Sequence, residues 1–168
     1  MSPQEYDPKE VDPTVEALRA FFVDHPDWRA AAGRLDRAAC SRVSFTHLPG
    51  RDWRLLRRGG QTVLEPGRVT DPDFALTFSP IAIERIVAAR GGMAAFAIAL
   101  FEAVLDPDPE QGVRIEILAS FARLVRRGYL GLLLACGPRL LAFGARHGVR
   151  SVRDLRALVR DRTDPPST

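Results

Sequence analysis

The sequence contains no asparagine and one lysine, Lys9, although arginine is plentiful among its 168 residues. That usage is the mark of a GC-rich genome and points to a bacterial source, not to a function. The positive excess is small, a net charge of +3. The arginines are spread along the chain and interleaved with Asp and Glu. A nucleic-acid surface gathers its cations on one face among stacking aromatics, so nucleic acid is excluded as a partner. The two cysteines, Cys40 and Cys136, are far apart and form no CxxC motif. A disulfide framework and a zinc site are thereby excluded, and a reducing, cytoplasmic location is expected. No apolar run reaches the roughly 20 residues needed to cross a bilayer. The start, "MSPQEYDPKEVDP", is polar, acidic and proline-bearing, unlike a signal peptide or anchor.

Catalytic signatures are missing too. There is no HExxH, GxSxG, Walker loop or GxGxxG. His25, His47 and His147 are isolated, and no two His or Cys residues fall at ligand spacing on a helix. No metal, no cofactor and no enzymatic activity are expected, since a site needs a nucleophile and a base within mutual reach.

What is present is a 46% hydrophobic chain, enough for one domain. That domain is expected over 12–160, between a flexible segment at 1–11 and a flexible tail at 161–168. Asp12 followed by Pro13 reads as a helix start, and Val15, Leu18 and Phe22 form its apolar stripe. "DWRAAAGRLDRA" reads as a weaker second helix. "SRVSFTHL", "WRLLRRG" and "QTVLEPG" alternate and are joined by turn sequences, a three-stranded antiparallel meander. "DFALTFS" puts Phe74, Leu76 and Phe78 on one face of a fourth strand. Ser79-Pro80 opens a helix, and Gly91-Gly92 closes it. "VRIEIL" is a fifth strand, with Ile115 and Ile117 inward. Ser120 caps "FARLVRR", and Gly128 ends that helix. "YLGLLLACG" and "PRLLAFGARHG" are further helical pieces, and Ser151 with Asp154 makes a capping box for a last helix to Asp161.

The segment "GGMAAFAIALFEAVL" (Gly91 to Leu105) is unusual. On a helix, its large side chains from Met93 to Leu105 cover roughly 200° of arc, against a stripe nearer 100° for a surface helix. Such a helix is covered on more than one side. The sheet covers one side, and another helix, a partner chain or an apolar ligand covers the rest. Glu102, the segment's one charge, either faces solvent at the rim or meets a polar ligand head.

The order of these elements, and above all "LEPGRVTDPDFALTFSPIAIERIVAARGG", resembles the sterol carrier protein 2 family over about 43–133. Ala119-Ser120 stands where that family usually has a Gly-Asp step, and the helical region after Pro138 is longer than its minimal domain. The resemblance implies an α+β fold: a five-stranded, mostly antiparallel sheet, covered on one face by helices, with an extra C-terminal helical region. It also implies an apolar tunnel between sheet and helices for a lipid, sterol, fatty acyl or isoprenoid ligand. Phe74, Leu76, Phe78, Ile86, Met93, Phe96, Leu100, Phe101, Ile115, Ile117, Phe121 and Leu124 are the expected lining. The basic turn Arg123, Arg126 and Arg127 is either a solvated helix end or a contact for anionic membrane headgroups. The rival reading is a ligand-free interaction module of the same fold that dimerises or docks on a partner enzyme.

Overall fold

Asp12 accepts hydrogen bonds from the backbone N–H groups of Thr14 and Val15, and helix α1 (Pro13–Asp24) begins there. The computed structural model describes residues 12–148, with Asp154 and Ala157; of the expected terminal helix only these two residues are described, both helical, and both end segments lie outside the described residues. His25 ends α1 and, through its ring nitrogen, caps α2 (Pro26–Ala32). Pro26 therefore closes one helix and starts the next, as its fixed φ and missing N–H allow.

The meander forms as the alternation predicts. Strands β1 (Cys40–Phe45), β2 (Trp53–Arg58) and β3 (Gln61–Pro66) pair antiparallel, with Ser41 opposite Leu55 and Leu55 opposite Leu64. Strand β4 (Phe74–Phe78) then lies on the other side of β1 and runs parallel to it. Strand β5 (Val113–Ile117) pairs antiparallel with β4. The sheet is mixed, in the order β3-β2-β1-β4-β5. Three of the four strand pairs are antiparallel, and the β1–β4 pair is parallel. Its cause is the connection after β3: Gly67 N–H bonds Asp52 at one end of the sheet and Asp73 N–H bonds Cys40 at the other. The chain thus returns along the strand direction before β4 starts.

One sheet face carries Val43, Phe45, Leu64 and Phe78, all buried; the other carries Arg42, Ser44, Arg54, Arg114 and Glu116, none of them buried. The helices pack on the apolar face. Helix α3 (Pro80–Ala88) is capped by the Ser79 hydroxyl and buries Ile83 and Ile86 against α1. Helix α4 (Gly92–Leu105) is the all-round apolar segment. Its neighbours are β5, α2, α3 and α7 (Gly137–Arg146). Between β5 and α7 come α5 (Phe121–Arg126), capped by Ser120, and α6 (Tyr129–Ala135). Most of the arc of α4 is therefore answered by other helices. No helix among the described residues is long and apolar enough to cross a membrane.

Candidate functional site

The part of α4 that no helix covers borders a cavity of about 230 Å³. Phe74, Leu76, Ile115 and Ile117 line it from the sheet, and Leu100, Phe101 and Val104 from α4. Tyr129, Leu132 and Leu133 of α6 line the opposite side, and Trp28, Leu35 and Leu55 complete much of the remaining wall. The volume exceeds the roughly 150 Å³ of an engineered apolar cavity that stays dry and binds benzene. It falls below the roughly 300 Å³ at which pockets for drug-sized ligands begin.

Six of the twelve residues expected to line a tunnel face this cavity: Phe74, Leu76, Leu100, Phe101, Ile115 and Ile117. The other six do not. Phe78 is buried at the far end of β4, opposite Val113, outside this cavity wall. Ile86 and Met93 are buried in the same core. Phe96 stacks on Phe21, with ring centroids 4.5 Å apart, and meets the Trp28 edge at 5.5 Å. The aromatic residues of α1 and α2 take up the face of Phe96 that a ligand would need. Leu124 is buried outside the cavity wall, and Phe121 is 48% exposed on α5. Glu102 is exposed, the first of its two readings.

The basic turn is differently built from a solvated helix end. Asp73 is fully buried and gathers four donors. Arg123 Nε (2.9 Å) and Arg127 Nη1 (2.7 Å) bond its Oδ1, while Tyr129 Oη (3.0 Å) and Cys40 N–H (3.2 Å) bond its Oδ2. Its backbone carbonyl accepts from Leu118 and Ala119. Arg123 also pairs with Asp71, and that guanidinium holds the Asp71 carboxyl below its usual range. Only Arg126 of the three cations has an exposed side chain; Arg123 and Arg127 are turned inward to a charge that burial would otherwise make costly. The hub ties the starts of β1 and β4 to α5 and α6, and so fixes the helical wall of the cavity. Burial first, and then the Asp73 carboxylate, push the Tyr129 phenol well above its ordinary value; it stays neutral and donates. Burial likewise raises both cysteine thiols, which disfavours the reactive thiolate.

Sequence reasoning missed Trp28, Arg57, Thr62 and Tyr129 as parts of this wall. The signal was available for two of them. In the β2–β3 hairpin Arg57 lies opposite Thr62, two residues on from Leu55 and Leu64, so the inward alternation puts both on the core face. An arginine at that position contradicts the apolar pattern. No group of three or more His, Cys, Asp or Glu among the described residues is placed to hold a metal. Compared with protein-family models, curated proteins and solved structures, the chain matches none.

Proposed function

We propose that this chain binds, without transforming, an apolar small molecule in the cavity between the sheet and helices α4 and α6, as a sterol carrier-type protein would. The observation that carries this reading is the wall itself: Phe74, Leu76, Ile115 and Ile117 face Leu100, Phe101, Leu132 and Leu133 across unfilled space. Close-packed interiors leave few voids larger than a water molecule, so an apolar gap of this size supports a ligand-binding reading. The volume suits one acyl or isoprenoid chain better than a bulky polycycle. Organic extraction of the gently purified protein, followed by mass spectrometry, tests the reading. A stoichiometric lipid supports it; a protein that emerges empty and stays empty after incubation with fatty acid, sterol and isoprenoid opposes it.

A second reading, docking on another chain, has its own observation. Helix α6 buries none of its residues, and Leu130, Leu134 and Leu141 are 41%, 59% and 58% exposed. Native mass spectrometry separates the two. A ligand-free dimer favours docking, and a ligand-bearing monomer favours the carrier.

A further inference from the structure

Three polar residues, Trp28, Arg57 and Thr62, border the otherwise apolar cavity, and each carries a buried polar atom without a partner. Thr62 is 4% exposed and its hydroxyl has no hydrogen-bond partner. Trp28 is 6% exposed and its indole Nε1 has none either. Arg57, opposite Thr62 in the hairpin, spends its terminal nitrogens on backbone carbonyls. Nη1 donates to Gly33 (3.2 Å) and to Leu35, and Nη2 to Gly60 (3.0 Å). Its Nε is buried and unpartnered. No carboxylate among the described residues forms an ion pair with Arg57, whereas Arg54 and Arg58 on the same strand share Glu65. All three residues border the cavity, and Arg57 also borders a hollow on the exterior with Arg37, Gly59 and Gly60.

The indole and guanidinium nitrogens can only donate, and the hydroxyl can donate as well as accept. Buried donors are nearly always satisfied, and three unsatisfied ones in residues that border a single cavity define the missing partner by its chemistry. It is an acceptor. Because one donor belongs to an uncompensated cation, the complementary acceptor is an anion. We propose that Arg57, Thr62 and Trp28 hold the carboxylate of a single-chain amphiphile whose tail lies along Leu76, Leu100 and Ile115. This assignment rests on the apolar-ligand reading and specifies its head: a monocarboxylate such as a fatty acid, not a neutral or cationic lipid. Arg57 sets the direction of entry, with the head at the hairpin end and the tail toward β5.

The test uses three probes of one chain length on delipidated full-length protein: decanoic acid, its methyl ester and decylamine. The acid is expected to bind at least about tenfold tighter than the amine, the ratio that one hydrogen bond to a charged group supplies. Thr62→Val keeps the shape and removes the hydroxyl. It is expected to weaken the acid about tenfold and leave the amine unchanged, while raising the melting temperature of the ligand-free protein, because a buried unpaired polar atom is gone. Trp28→Phe should weaken the acid in the same selective way. Equal binding of acid and amine, or loss of both in Thr62→Val, overturns the head assignment and leaves the apolar site standing. Failure of all three probes to bind overturns both.

Discussion

At the scale of the residue, Asp73 decides most. It is a buried charge with two arginines, a tyrosine and a backbone N–H on its carboxylate. Removing one member of a buried charge network leaves the others desolvated and uncompensated, which costs about 3–5 kcal/mol. Asp73→Ala is expected to lose stability in that range by urea unfolding, and a loss under 1 kcal/mol would mean that the arginines simply turn to solvent. Tyr129 gives the same hub a pH signature. Its folded pKa is raised, so its contribution is complete below the unfolded phenol value of about 10 and is lost as pH rises from there through the folded value. Thermal unfolding of the native protein should therefore show an alkaline decline above about pH 10. Tyr129→Phe should flatten it, and at neutral pH should cost about 1.5–3 kcal/mol, the worth of a hydrogen bond to a charged acceptor.

At the scale of the element, α4 carries two kinds of apolar position that look alike in sequence. Phe96 is packed on Phe21 and Trp28, whereas Leu100 faces the cavity. Phe96→Ala should cost about 3–5 kcal/mol, as in solid core. Leu100→Ala should cost less than the roughly 2 kcal/mol that begins the solid-core range, because Leu100 already lacks partners on one side. Equal losses in urea unfolding would mean that both are core. The α5–α6 junction is set by Gly128. Its φ is +86°, and a Cβ there would lie 2.1 Å from the Arg34 carbonyl oxygen. Gly128→Ala should cost more than the roughly 1–2 kcal/mol of the left-handed backbone alone, and, by displacing α6, should weaken ligand binding too.

The elements themselves were legible because their signals are local. Asp12, Ser79 and Ser120 cap where their side chains reach backbone donors within three residues. The inward sets Val43 and Phe45, Phe74 and Leu76, and Ile115 follow period two. Strand order was not legible, since the parallel contact of β1 with β4 depends on a connection whose path no periodicity encodes. Nor does apolar spacing separate Phe96 from Leu100: both are inward, and only the arrival of α1 and α2 fills the space beside one of them. The inward pairing of Arg123 and Arg127 was not legible for a related reason. Their partner, Asp73, is 50 and 54 residues away in sequence.

For the whole molecule, the central claim is that the space between the sheet and α4–α6 holds an apolar ligand. Fluorescence titration of lipid-free protein with a labelled fatty acid, repeated on Leu132→Trp, tests it most directly. Leu132 lines the cavity from α6, so a larger side chain there fills the space where the tail would lie. The account predicts saturable one-to-one binding at micromolar Kd or tighter, about −8 kcal/mol, abolished in a Leu132→Trp variant that still unfolds cooperatively. Absence of saturable binding by the native protein, or undiminished binding by the folded variant, would contradict it.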